Sequence, residues 1–526
     1  MKKIRQFFLI FSIGLLFSAA QLAEASTPTY GGTLIIGVNG DLDTFNPLFS
    51  ESSLSQEINH LVLLGLADLD EKSDFTPELA SSWERSNDNL QLTYHLRKDA
   101  VWSDGVPITA EDVKFTFELL MDTTVASPRQ GVTEYIKRVV VSDPHTVTFE
   151  FTEAYPDQIF DTAWEILPKH VLANADRKTL RSHEFGRKPI SSGPFILKKW
   201  VSQQYIELAP NERYFGGRPY LDRVIFKVVP DQTNLLMQLQ TGEVDMMVGV
   251  PPAEVESLRK TNPNLGIYPV SGRVYNYIGY NLKSPLFADT QVRQALTIAI
   301  DRKGIIQALL YGFGTPCRGP LPPMVSWAYS EDVQEFEYNP KKARAALAQQ
   351  GWVDRDADGW LDKDGRRFEF TLKTAAGNQL RSDVAVIVQE QLRQIGIKVQ
   401  VETVEWATMI GELRDGKFEA CMGGWSMSFN IDLTPIFHSE SVEMFNYVGY
   451  ANRQVDGLIE KGREEMNRAV AGPIWKETQQ LIYADQPYTF LFWVDKIVAI
   501  NKSIKNATPI PLSSVYGLEG WYRAKP

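Results

Sequence analysis

The sequence predicts a mixed α/β protein of about three domains folded against one another. Three observations carry that expectation. The chain has 526 residues, and globular domains take roughly 150 residues each. Strand patterns of period two alternate with helical patterns along its whole length. No low-complexity linker and no internal repeat divides it, so its lobes should be joined by short crossovers. With 44% hydrophobic and 23% charged residues, the composition is that of a globular rather than a disordered chain.

The elements follow in order. Gly32 to Val38 reads as a buried strand between turn residues, and Leu90 to Leu96 alternates apolar and polar residues. Thr109-Ala110-Glu111-Asp112 opens a helix over 110–121 in the manner of a capping box, with Val113, Phe117 and Leu120 on one face. Val147 to Phe151 alternates again. Asn339-Pro340 starts a helix that Gly351 stops. An amphipathic helix over 380–395 ends at Gly396, and a strand from Ile397 to Thr403 follows.

The first residues predict export. Lys2, Lys3 and Arg5 precede an apolar run from Phe7 to Ala20, too short to span a bilayer as a helix. Ala23-Glu24-Ala25 is a small-x-small cleavage pattern, so residues 1–25 read as a signal peptide. No lipobox Cys follows, and a periplasmic location is expected. Removing that segment takes the net charge from −11 to −13, because it holds three basic residues and one acidic residue. Such an excess of negative charge disfavours nucleic acid and anionic membrane surfaces as partners. The two cysteines, Cys317 and Cys421, leave a Cys317–Cys421 disulfide and two buried thiols both open.

Catalytic signatures are missing. The six histidines, among them His60, His170 and His438, show no HExxH spacing. No GxSxG elbow, P-loop or GxGxxG occurs, and the SxxK string at Ser257–Lys260 lacks its companion motifs. A secreted hydrolase is therefore a remote reading. One metal pattern stands out. Asp354, Asp356, Asp358 and Asp362 fall at positions 1, 3, 5 and 9 of an EF-hand-like loop, with Gly359 at position 6. Position 12 is Gly365 rather than Glu, which leaves calcium a weak candidate beside a plain polar turn. No other cofactor is expected.

An ordered set of motifs adds a family. The set includes Thr44-Phe45-Asn46-Pro47, Pro77-Glu78-Leu79-Ala80, Trp102-Ser103-Asp104-Gly105, Ser192-Gly193-Pro194-Phe195, Gly242-Glu243-Val244-Asp245 and Val292-Arg293-Gln294-Ala295-Leu296. In this order the chain resembles the family 5 extracytoplasmic solute-binding proteins of ABC importers, the dipeptide- and oligopeptide-binding group. The resemblance implies a two-lobed periplasmic-binding-protein clamshell with an extra inserted domain (class II, three-domain type). Lobe 1 would comprise 26–67, 190–279 and 500–526, its inserted domain 68–189, and lobe 2 280–499. The hinge would lie near 279–281 and 498–500. No catalysis is implied; a monomer would capture solute between its lobes and pass it to an ABC permease/ATPase complex at the inner membrane.

The resemblance also points to ligand-binding residues. Trp406 and Trp425 have the nineteen-residue spacing of two cleft tryptophans in oligopeptide binders. The second opens the run Trp425, Ser426, Met427, Ser428, Phe429, Asn430, Ile431, Asp432. Ser428 stands where peptide binders place the Asp that pairs with the peptide ammonium, and Met422 where they can carry an Arg. Asp432 or Glu51 is the expected substitute anion. Phe49, Glu51 and Ser52 correspond to a cleft loop, and Tyr280 and Asn281 would offer main-chain hydrogen bonds beside the hinge. The implied ligand is a small oligopeptide or peptide-like solute. Ser428 keeps open an oligosaccharide or another solute without a free amine.

Overall fold

The computed structural model describes residues 28–524; the expected signal peptide at 1–25 lies outside them. Among the described residues no helix is long and apolar enough to cross a membrane.

Two mixed sheets form the centres of two lobes. The first has seven strands in the order Leu265–Val270, Lys496–Asn501, Met246–Val248, Thr33–Val38, Arg223–Val228, Tyr205–Pro210, Phe195–Val201. Val224, Phe226, Leu34 and Ile36 turn one face into the larger core, and Leu235, Leu239, Val244 and Leu258 cover the other. The inserted domain is an antiparallel sheet, Ala80–Arg85, Gln91–Leu96, Thr146–Phe151, Ile136–Asp143. Helix Ala110–Met121 lies on it, its start fixed by Asp112 Oδ2 accepting the Thr109 N–H at 2.9 Å. Val113 and Phe117 join Leu92, Tyr94 and Phe149 in the same continuous core as Leu34 and Ile36. The inserted domain is thus fused to its lobe by shared apolar burial, which explains the missing linker.

The second lobe has six strands in the order Gly314–Pro316, Tyr488–Val494, Val274–Tyr280, Ala420–Ser426, Glu369–Ala375, Lys398–Val404. Alternate residues feed cores on its two faces: Ile278, Leu372 and Met422 on one, Tyr275, Tyr277 and Cys421 on the other. Pro340–Gln349 forms the expected helix, with Asn339 Oδ1 accepting the Lys342 N–H and Gly351 at φ +87° beyond its end. Gln379–Gln394 and Lys398–Val404 likewise flank Gly396, which has φ +90°.

The chain changes sheets at 271–273 and at Asp495, not at 279–281 and 498–500. Val274–Tyr280 pairs along its length with Ala420–Ser426 and with Tyr488–Val494. Pairing, not sequence pattern, decides which sheet a strand buried on both faces joins. The two cysteines are free and buried, each held in apolar surroundings. Of the two alternatives left open by the sequence, the bridge is not formed; Cys317 Sγ donates to Gly319 O at 3.1 Å.

Candidate functional site

Strand directions locate a crevice. In the first sheet Thr33–Val38 runs parallel to Arg223–Val228 and to Met246–Val248. Val270 and Lys496 lie at the carboxyl end of this trio, because both their strands run antiparallel to it or to each other there. In the second sheet Glu369–Ala375, Lys398–Val404 and Ala420–Ser426 are parallel. Ser426 faces Val274 and Trp493 faces Tyr275, so both crossovers enter at the carboxyl end of that trio too. The carboxyl ends of two parallel groups therefore flank the crossovers, the place where open α/β sheets bind ligands. The crossovers touch: a Cβ on Gly272 would meet Val494 O at 1.8 Å.

Trp425, Ser426 and Met427 stand at this point. Trp425 is half-buried, parallel to Tyr277 (ring centroids 6.4 Å, 11° apart) and 5.6 Å from the ring of Phe445, which is 40% exposed. Tyr277 in turn stacks on Tyr488 at 3.9 Å. Met427 is buried and donates its N–H to Arg273 O at 2.9 Å. Ser426 and Ser428 are exposed. Trp406 opens helix Trp406–Arg414 beyond the edge strand Lys398–Val404, at the same sheet end, and is 52% exposed.

The loop after Met427 reaches the other lobe. There the Asn430 side chain stands near the Asp157 carboxyl of the inserted domain. Burial raises the Asp157 pKa, opposed by the Asn430 amide and by the charges of Arg468 and Arg463. Beside it Asp161 is pushed up to about 7, chiefly by burial, with Asp157 and Glu134 adding to the rise and the nearby Tyr155 hydroxyl opposing it. A second bridge is Arg468, whose Nη1 donates to Ser73 O at 2.9 Å and to Asp74 Oδ1 at 3.0 Å.

Several expected residues sit elsewhere or are engaged. Tyr280 is 1% exposed at the far end of its strand, its hydroxyl bonded to Thr489 Oγ1 at 2.8 Å. Asn281 Nδ2 donates to Phe418 O at 2.9 Å. Neither lies beside a crossover, because the first crossover precedes their strand and the second lies at the opposite end of the sheet. Phe49 is buried in the core, and Ser52 caps helix Ser53–Val62 by accepting the Ser55 N–H. Glu51 pairs with Arg181 at 2.7 Å, and Asp432 with Arg463 at 3.5 Å. The expected substitute anions are thus engaged by arginines.

In the acidic loop, carboxylate oxygens of Asp354, Asp356 and Asp358 converge within 4.8 Å. Asp362 is not among them; it lies in a short ribbon, Asp362–Lys363 with Arg366–Arg367. Asp354 Oδ2 accepts the Gly359 N–H, Asp358 Oδ1 the Trp360 N–H, and Asp358 pairs with Arg367.

Two arginines at the crevice escaped the sequence reading. Arg273 lies in a crossover, its guanidinium 5.1 Å from the Phe429 ring. Arg381 follows the carboxyl end of Glu369–Ala375, and its Nε donates to Asn276 Oδ1 at 3.0 Å. Both are half-buried, burial lowers both pKa values, and neither forms an ion pair among the described residues. A lone Arg between apolar residues carries no sequence signal of its own. Only the fold shows that it lacks a carboxylate.

Comparisons with known proteins agree with this architecture. Residues 74–439 match the family described as "Bacterial extracellular solute-binding proteins, family 5 Middle". "Oligopeptide-binding protein AppA" of Bacillus subtilis is 38% identical over 512 residues, covering 95% of this chain and 93% of that protein. "Heme-binding protein A" of Haemophilus influenzae is 27% identical, covering 79% and 78%. The AppA structure in complex with a nonapeptide superposes with a TM-score of 0.70 over 95% of this chain and all of that one. NikZ of Campylobacter jejuni in complex with Ni(L-His), 28% identical, gives 0.72 over 93% and 99%. The two-lobed clamshell with its fused inserted domain is a binding device rather than an enzyme, and the chain belongs to the family 5 bacterial extracellular solute-binding proteins.

Proposed function

We propose that this protein captures small oligopeptides, or peptide-like solutes, in the crevice between its lobes and delivers them to an ABC permease complex. The observation that carries the reading is 38% identity across nearly the whole chain to a protein named oligopeptide-binding. The crevice chemistry supports it. Trp425, Phe445 and Trp406 offer apolar surface that loses little side-chain entropy on contact. Arg273 and Arg381 are half-buried cations without carboxylates, and a ligand carboxylate would satisfy them. Ser428 leaves the amine end without an ion partner at that position, so recognition is weighted toward the carboxyl end and the main chain. In this reading the protein is a periplasmic monomer after loss of residues 1–25.

Because a ligand touching both lobes favours their approach, binding and closure are one equilibrium. The test is thermal melting with di- to pentapeptides, each as the free acid and as the C-terminal amide. Free acids should raise the melting temperature by mass action, and amides less. Native mass spectrometry of the protein as purified should show a peptide. Oligosaccharides are the second reading, favoured by the exposed Ser428. A shift with them and none with any peptide would replace the first reading by the second. Ser428→Asp should add affinity for free-amine peptides if the amine end lies at that position.

A further inference from the structure

Away from the crevice arginines, lobe 1 brings one imidazole and three carboxylates together. His60 lies in the last turn of helix Ser53–Val62, and Asp68 in strand Ala67–Leu69. Glu78 follows strand Phe75–Pro77, and Glu165 follows helix Gln158–Thr162 of the inserted domain. His60 Nε2 is 3.2 Å from Asp68 Oδ2 and 3.9 Å from Glu78 Oε1. On the other side of the ring, Nδ1 is 3.9 Å from Glu165 Oε1. Donor atoms of His60, Asp68 and Glu78 all lie within 4.8 Å of one another.

We propose that His60, Asp68 and Glu78 form a site for a first-row transition-metal dication of the zinc class, with Glu165 positioning the imidazole. The spacing fits. A tetrahedral ion with bonds of about 2.1 Å holds its ligand atoms about 3.4 Å apart. The 3.2 Å contact is already there, and the 3.9 Å contact needs only a small side-chain adjustment. The donor set of one nitrogen and two carboxylate oxygens suits zinc, cobalt or nickel better than calcium or magnesium. Glu165 stands on the Nδ1 side of the ring at 3.9 Å, beyond hydrogen-bond length, and would close on it when metal binds. A ligating histidine ordinarily turns its other ring N–H toward a carboxylate, which fixes the tautomer and orientation.

The surroundings supply charge and access. One imidazole faces three carboxylates whose side chains are only 11–30% exposed, donors that a dication would hold in place of protons. A cavity of about 180 Å³ lies beside His60, Asp68 and Glu165, walled also by Phe75, Phe160 and Trp164; Glu78 is not among its walls. Bound metal would tie the first helix, the ribbon of Ala67–Leu69 with Phe75–Pro77, and the inserted domain's 163–165 segment at one point. This site is separate from the acidic loop at Asp354 and independent of the peptide reading.

The test is calorimetric titration of chelator-treated full-length protein with Zn²⁺ in a non-coordinating buffer. One equivalent per chain is expected, with a rise in melting temperature. His60→Gln and Asp68→Asn should each weaken binding at least about tenfold, and Glu165→Gln about 10- to 100-fold. Co²⁺ should give the visible absorption of a nitrogen- and oxygen-ligated ion in the parent and lose it in His60→Gln. The double variant Asp354→Asn/Asp356→Asn should bind Zn²⁺ unchanged. Absence of binding, or equal affinity in parent and His60→Gln, overturns the proposal. Loss of binding in the Asp354/Asp356 variant alone overturns it equally. Should His60→Gln fail to fold by circular dichroism, Glu165→Gln, which removes only a charge, decides the matter by the same affinity criterion.

Discussion

Replacing Arg468 by Met isolates one of the bridges between the lobes. Arg468 belongs to lobe 2, at the start of helix Arg468–Asp485, and reaches Ser73 O and Asp74 Oδ1 in the other lobe. Its ion pair with Asp74 is partly exposed (39% and 63%), so it is worth about 0.5 kcal/mol. The charge-assisted bond to a backbone carbonyl adds about 1 kcal/mol at such exposure. The guanidinium lies 5.6 Å from the Phe75 ring, worth about 0.5 kcal/mol. Its contact with Trp327, at 5.1 Å, stays within lobe 2 and drops out. The bridge therefore favours lobe contact by about 2 kcal/mol, close to a 30-fold bias. Met keeps the stem and removes the charge. Small-angle scattering of the ligand-free variant should show a larger radius of gyration. The affinity for a bound peptide should fall by up to about 30-fold, mainly through faster dissociation. Unchanged scattering together with affinity within about twofold would refute the reasoning, because the contact would then be equally present with lobes apart and together.

Trp425→Ala should weaken ligand binding about tenfold or more, as truncation of a central aromatic anchor does. Trp406→Ala, at a 52% exposed position, should change stability by less than about 0.5 kcal/mol, so any affinity loss by calorimetry reports ligand contact. Asp161 has a folded pKa of about 7, against about 3.9 when unfolded. The folded state then holds the extra proton, so its stability contribution is full below about pH 4 and is lost as pH rises through 7. Asp161→Asn should flatten that part of the melting-temperature profile, and an unchanged slope would count against it. Burial pushes the Cys421 thiol up to about 12 and raises that of Cys317 as well. Neither should react with an alkylating reagent until the protein unfolds, and reduction should leave the intact mass unchanged. Gly272→Ala, whose Cβ would press on Val494 O, should lower the melting temperature and shift the lobe equilibrium seen by scattering.

What could be read from the sequence follows a physical division. Elements with a local signature came out within a residue or two. Thr109 with Asp112 at a helix start and Gly351 and Gly396 at helix ends are examples, since caps and left-handed turns are properties of a few adjacent residues. The position of Trp425 near the end of its strand, and its stacking on Tyr277, both depend on strand pairing. Tyr280 and Asn281 were misplaced for a non-local reason. Val274–Tyr280 is buried on both faces except at Val274, so no alternation marks which lobe it serves. Placing the crossover after it rather than before it reverses which end of the strand faces the ligand. Phe49 and Ser52 both lie after the carboxyl end of Thr33–Val38, but one packs inward and the other caps a helix.

The misplaced crossover matters for how the crevice works. With the strand assigned to lobe 2, the residues nearest the hinge become Arg273, Val274, Ser426 and Met427, all linked across one pair of strand ends. Arg273 donates nothing to a carboxylate there, yet its carbonyl holds the Met427 N–H that starts the loop to Asn430 and Asp157. A ligand anion drawn to Arg273 would pull on the same backbone segment that joins the lobes. In the proposed reading, ligand charge, hinge geometry and the approach of Asn430 to Asp157 would be coupled through covalent and hydrogen-bonded neighbours. Such coupling would give closure a differential contact of the kind a population shift requires.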